Sequence, residues 1–191
     1  MGLFNKQSIK MKECLIKVGV CIAYDWDFLR YSIPLIHEDS DYICLSLDAE
    51  CTSWALKSFS FDEIKFRELV HELDPDQKIH VYEDNFHLTD LGPMQNEVRQ
   101  RNKMAEYMGS GGWHIQLDTD EYFVDFHGFV RYLKSTHFVR PVNICCPWIT
   151  LFKKVGPGYL RINNVGTDNY EYNSRSNKQP GISVRQKKWQ L

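Results

Sequence analysis

The chain reads as an α/β domain built on a mostly parallel central sheet. Three observations predict this. Apolar segments rich in β-branched residues alternate with segments of helical period between residues 14 and 152, the pattern of strand–helix–strand units. Several of the apolar segments stop at an acidic residue, as strands do where they meet a polar sheet edge. The chain has 191 residues, 43% of them hydrophobic, which is enough to enclose one core.

The elements run in order along the chain. "CLIKVGVCIAY" (14–24) is a buried strand that runs into Asp25 and Asp27. "FLRYSIPLIHE" predicts a short helix restricted or kinked by Pro34. "DYICLSLD" (41–48) is a second buried strand ending in an acid. In "SFSFDEIKFRELVHEL", Ser60 and Glu63 have the spacing of a capping box, and Phe66, Leu69, Val70 and Leu73 share a helical face. "KIHVYED" (78–84) is a third strand. A helix over 94–108 is expected to turn Met94, Val98, Met104, Ala105 and Met108 inward and to stop at "GSGG". "WHIQLD" (113–118) is the fourth strand, "DFHGFVRYLKS" (125–135) a short helix, and "PVNICCPWITLF" (141–152) a fifth strand bent at Pro147. After "GPG" the chain turns polar and carries no period. The predicted organisation is a domain over 14–155 and a polar basic segment over 156–191.

Composition excludes several classes. Aromatic residues make up 14% of the chain, so it is not a disordered composition. No apolar run spans a bilayer, and the N-terminus has no signal-like block, so a cytoplasmic protein is expected. No two of the six cysteines have zinc-knuckle or redox spacing, and Cys21 and Cys44 lie in apolar runs as small core residues. Residues 153–191 carry a net charge of +6 and the remainder −8. The basic segment is either a solvated tail or a surface for an anionic partner, including peripheral contact with a membrane. The acidic body argues against nucleic acid as a partner.

The chemistry concentrates in "WHIQLDTDEYF" (113–123), a strand that runs into Asp118, Asp120 and Glu121. Alternation along a strand turns Asp118 and Asp120 one way and Thr119 the other. Two hard oxygen donors at a strand end suit Mg²⁺ or Mn²⁺ with positions left for water and phosphate. The alternative is that the acids only cap the next turn and helix. In parallel sheets ligands bind beyond the carboxyl ends of the strands, so the acids of the first, second and fourth strands are expected at one edge. The haloacid dehalogenase pattern fails, because its Asp-x-Asp sits on the first strand and wants Thr or Val where Tyr122 stands. His80, Glu83, Asp84 and His87 lack the helical spacing of a zinc site and read as strand-end polar groups. "GSGGWH" precedes a strand, the reverse of a phosphate-binding loop.

These residues resemble the GT-A-fold glycosyltransferases, especially the inverting family 2, from about residue 16 to residue 152. "VCIAYDWDFL" looks like that family's first strand and turn, "ICLSLDAECTS" like its second strand, and "QRNKMAEYMGSGGWHIQLDTDEYF" like its Arg-Asn helix, Gly turn and Asp-x-Asp strand. The resemblance implies a three-layer α/β/α sandwich that binds a nucleoside-diphosphate sugar, with UDP-sugars the first expectation, and transfers the sugar to a saccharide or lipid-linked hydroxyl. It implies that Asp120 ligates Mn²⁺ or Mg²⁺, and that Asp118 holds the ribose or helps the metal. Ala23, Tyr24, Asp25 and Asp48 would line the base and ribose pocket, and Arg101 would approach the diphosphate or brace the acids. The bland reading of Arg101 is a helix Arg paired with a neighbouring Glu. The catalytic base would be a carboxylate downstream, where only Asp168 and Glu171 remain. Trp148, Tyr159, Tyr170, Tyr172 and Trp189 are candidates to stack on acceptor sugars. The competing reading is a truncated, non-catalytic nucleotide-binding module of the same fold.

Overall fold

A computed structural model describes residues 14–136, 141–147, 150–155 and 158–162. The chain divides into two compact units, Met1–Thr136 and His137–Leu191. The boundary expected at 155 lies further on, between two strands of the second unit.

The first unit contains β1 (Ile16–Ile22), a single 3-10 turn (Trp26–Phe28), α1 (Leu29–Ile36), β2 (Tyr42–Asp48) and α2 (Glu63–Leu73). It continues through β3 (Ile79–Asp84), α3 (Pro93–Tyr107), β4 (Trp113–Asp118) and α4 (Phe126–Ser135). The four strands form one parallel sheet in the order β3-β2-β1-β4. A parallel sheet is covered on its faces, which is why its central strands read as apolar runs rather than alternations. All seven residues of β1 are buried, and so are six of the seven in β2.

The single charge inside β1 has a specific use. Lys17 is buried and donates to the carbonyls of Met108, Gly109 and Ser110 at 2.7, 2.9 and 3.3 Å. Those carbonyls belong to the residue that caps the C-terminus of α3 and the two after it, where a cation is favoured by the helix dipole. Two residues on, Gly19 leaves room for the helix: a Cβ there would lie 2.6 Å from Met104 Cε. The turn into β4 needs glycine at 112, where φ is +79° and a Cβ would collide with the Leu15 carbonyl. β1 thus sets where α3 lies and where β4 begins.

Three expectations need correction. Of the expected inner residues of α3, Met104 and Met108 are buried, Val98 and Ala105 are half-buried and Met94 is exposed. The first half of the helix buries Asn96 and Gln100 instead, because the loops on this side offer polar partners that an apolar stripe would strand. α2 is capped by Asp62, whose side chain accepts from the Lys65 amide at 3.1 Å, rather than by Ser60. The capping residue is the one immediately before the first helical turn. No strand covers 141–147, where Pro141 and Pro147 supply no amide donors. Instead β5 (Thr150–Val155) and β6 (Gly158–Ile162) pair antiparallel. The second of these strands was not expected from the sequence. Residues 163–191, most of the basic segment, lie outside the described residues. Among the described residues no helix is long and apolar enough to cross a membrane.

Candidate functional site

Because all four strands run the same way, their carboxyl ends share one sheet edge. Asp48 ends β2, Asp84 ends β3 and Asp118 ends β4, while Ala23, Tyr24 and Asp25 come directly after β1. The register pairs Asp48 with Asp84 and Asp118 with Cys21. The predicted convergence of strand-end acids is present, but the acids differ in what they do there.

Asp48 is 1% exposed. Its Oδ1 accepts from the Thr52 amide at 3.2 Å and the Thr52 hydroxyl at 2.9 Å. Its Oδ2 accepts from the amides of Phe86 and His87 at 3.0 and 3.3 Å. Four donors from two loops therefore close on one carboxylate. Such a group fixes the chain after β2 and β3 and presents no free oxygen to a ligand. The direct base contact implied for Asp48 is corrected on this ground.

The network extends into α3. Gln100 donates through Nε2 to the Ser46 carbonyl at 3.1 Å and accepts at Oε1 from Trp54 Nε1 at 2.7 Å. That orients the amide, so His87 Nε2 donates to the same Oε1 at 3.1 Å. Asn96 holds the Trp54 and Leu88 carbonyls. The polar inner stripe of α3 thus ties the loop carrying Trp54 to the helix carrying Arg101.

The end of β4 is built differently. Asp118 is about a third exposed, its side chain at 31%. Arg101 Nη2 donates to Asp118 Oδ1 at 2.8 Å, while Nε donates to Glu97 Oε1 at 3.1 Å. The guanidinium also lies over the Trp54 ring, 5.5 Å from its centroid. Arg101 therefore braces Asp118 and also makes the neighbouring-Glu pair with Glu97. The Asp118 amide donates to Glu121 Oε2 at 2.9 Å, and the Glu121 amide returns a bond to the Asp118 carbonyl at 3.1 Å. This closed turn buries Thr119 and leaves Asp120 exposed. Burial pushes the Asp118 carboxyl above the ordinary range, with Arg101 opposing the shift. Burial also pushes Glu121 up, against the bond it accepts from the Asp118 amide.

Glu121 closes the turn, but none of the three acids caps α4. α4 is capped by Asp125, whose Oδ1 accepts from the Gly128 amide at 2.7 Å. Neither Asp118 nor Asp120 is spent on that helix.

Ala23 and Asp25 are partly buried, and Tyr24 is 69% exposed with its ring edge-on to Phe59 at 6.2 Å. The Asp25 carbonyl closes the 3-10 turn by accepting from Phe28, and its carboxylate makes no capping bond. Trp54 is a site neighbour to which sequence reasoning assigned no role, Glu121 was noted only as one of the three clustered acids, and Glu97 entered only as the unnamed Glu beside Arg101. Glu97 was legible, because it stands four residues before Arg101 on the same helix. Trp54 was not, because only the folded loop brings it over α3. Asp168 and Glu171 lie outside the described residues, as do Trp148, Tyr170, Tyr172 and Trp189 and the side chain of Tyr159.

Among the described residues no three His, Cys, Asp or Glu groups converge as a closed metal site. Asp118 and Asp120 instead offer two hard oxygen donors at an open edge, a set that suits an ion whose remaining ligands are water and phosphate. No family model matches the chain, and no curated protein or solved structure matches it.

Proposed function

We propose that the protein is a nucleotide-sugar-dependent glycosyltransferase of GT-A type. The observation that supports it most is the pair of acids at the end of β4, one braced by Arg101 and one free at the common strand edge. The order of helix, Gly turn, strand and acids matches the resemblance read from the sequence. The reading extends the parallel sheet to a three-layer sandwich.

In this reading Asp120 and Asp118 hold Mg²⁺ or Mn²⁺, which when bound neutralises charge growing on the leaving diphosphate. Asp118 enters the reaction already oriented, because Arg101 fixes one of its oxygens and Glu121 fixes its backbone. Arg101 also carries positive charge toward the edge where phosphate would lie. Tyr24 and Asp25 flank the nucleoside. Asp48 acts indirectly, by shaping the loops on either side. The glycosidic bond to phosphate breaks through an oxocarbenium-like transition state while a base takes the acceptor's proton. No base is assigned among the described residues.

The test is incubation with a panel of UDP-hexoses and Mn²⁺, monitoring UDP release. Release that Asp120→Asn abolishes supports the transferase. Metal-dependent UDP binding without any release selects the non-catalytic nucleotide-binding module. No binding and no release contradict both.

A further inference from the structure

Trp54 lies on a loop, yet three contacts hold it over α3. Its indole Nε1 donates to Gln100 Oε1 at 2.7 Å. Its carbonyl accepts from Asn96 Nδ2 at 3.1 Å. Its side chain packs against the buried cluster of Cys21, Cys44, Met104 and Met108. The loop itself is tied to Asp48 through Thr52, which is bridged to Ser58, and the Phe59 amide donates to the Cys51 carbonyl at 3.0 Å. Two of its non-glycine residues, Cys51 and Leu56, sit at φ +47° and +59°. That backbone disfavours a side chain and persists where the surroundings fix it.

What the loop presents to α3 is a flat ring. The Arg101 guanidinium lies over it, with Cζ 5.5 Å from the centroid. Two carboxylates compete for that guanidinium: Nε donates to Glu97 Oε1 at 3.1 Å and Nη2 to Asp118 Oδ1 at 2.8 Å. The donors of a guanidinium all point within its plane. Neither bond therefore resists a swing that gives both donors to Glu97, the neighbour on the same helix. The indole does, because a cation is attracted to the face of an aromatic ring. We infer that Trp54 is a positioning residue: its ring holds Arg101 on Asp118 and so keeps that carboxylate placed for the metal and diphosphate. The inference rests on the transferase reading for its consequence, while the hold of Trp54 on Arg101 stands apart from it. An apolar plug over the Cys–Met cluster would make a different demand, which any side chain of similar bulk meets.

The test compares Trp54→Phe, which keeps an aromatic face but loses the N–H, with Trp54→Leu, which keeps apolar bulk and has no such face. Hindered rotation of the Arg101 guanidinium is followed by nitrogen NMR, its signal assigned by loss in Arg101→Lys. UDP is titrated in parallel with Mn²⁺ and with chelator. Trp54→Leu is expected to free the Arg101 guanidinium and to weaken Mn²⁺-dependent UDP binding about fivefold or more. Trp54→Phe is expected to keep the hindered signal and to bind within about twofold of wild type. Both lose the bond to Gln100, so both are expected to melt earlier, and melting alone does not separate them. If Trp54→Leu does not fold, Trp54→Met takes its place with the same expectations. An Arg101 signal that rotates freely in wild type, or is unchanged in Trp54→Leu, overturns the inference. So does a Trp54→Phe variant as impaired as Trp54→Leu at both readouts, or a freed Arg101 with full UDP–Mn²⁺ binding. Wild type without Mn²⁺-dependent UDP binding overturns the transferase reading. In that event an Arg101 freed in Trp54→Leu and held in Trp54→Phe upholds the positioning role, and any other pattern overturns it.

Discussion

The ends of β2 and β4 carry the same local pattern, an apolar strand closing on an aspartate, and the fold gives them opposite roles. At β2, Asp48 is buried and collects four donors from two loops. At β4, Asp118 is partly open and shares one oxygen with Arg101, and Asp120 beyond it is exposed. The difference lies in the chain beyond each strand. After Asp48 the chain folds back as a loop, with Thr52 bridged to Ser58, and the 86–87 amides arrive from the segment beyond the neighbouring strand. After Asp118 the chain closes a short turn on Glu121 and leaves for α4, whose own cap is Asp125. A strand-end acid is an anchor where loops bring donors to it, and a candidate site where they do not.

This comparison is broken most severely at the anchor. Asp48→Ala leaves four donors without an acceptor, and is expected to cost about 3 kcal/mol or more. Chemical denaturation measures it, and a loss below that of Asp118→Asn would reverse the assignment of the two ends. The next effect is at Lys17. Lys17→Met removes a charged donor from three carbonyls at and just beyond the C-cap of α3, with an expected loss of about 2 kcal/mol. Because α3 carries Arg101, UDP binding is expected to weaken with it, although Lys17 lies at the opposite end of the strands.

A smaller effect separates the cap from the site. Asp125→Ala is expected to lower stability by about 1 kcal/mol while metal-linked UDP binding persists. The reverse pattern would mean that the turn acids cap α4 after all. The smallest effect is electrostatic. Lys103 Nζ lies 2.6 Å from Asp84 Oδ2, and this bond, with one from the Tyr82 hydroxyl, holds the Asp84 carboxyl down to about 2. Stability from this pair is fully present above the ordinary carboxylate pKa of about 3.9 and is lost as pH falls through about 2. The pair is about a third exposed, so screening keeps its worth under about 1 kcal/mol. An acid denaturation limb that Lys103→Met shifts slightly upward in pH would show it.

The strands were legible because burial on both faces leaves continuous apolar runs, as in "KVGVCI" and "ICLSL". "WHIQLD" was bounded correctly by its Gly turn and its terminal acid. The helix before it was placed well, and its second half was turned correctly, with Met104 and Met108 buried. In its first half apolar periodicity favoured Met94 and Val98, whereas the folded helix buries Asn96 and Gln100 against loops whose positions no local pattern encodes. The fate of Asp48 was hidden for the same reason: its partners at 86 and 87 come from beyond another strand. At the site, Asp118 and Asp120 were legible from the strand and its alternation and Arg101 only from the resemblance, while Trp54 depends on which loop folds over α3. No single segment carries that.

The claim that the β4 end is the site and the β2 end the anchor meets its most direct test in one titration. UDP is titrated calorimetrically into wild type, Asp120→Asn and Thr119→Val, each with Mn²⁺ and with chelator, and the same samples are melted. Each charge-assisted contact is worth roughly 1.5–3 kcal/mol, about tenfold or more in affinity. Wild type is therefore expected to bind UDP at least tenfold more tightly with Mn²⁺. Asp120→Asn should lose that gain at an unchanged melting temperature, and Thr119→Val should keep it. Absence of metal-dependent binding in wild type, or an Asp120→Asn variant that melts early yet retains the metal effect, would contradict the account.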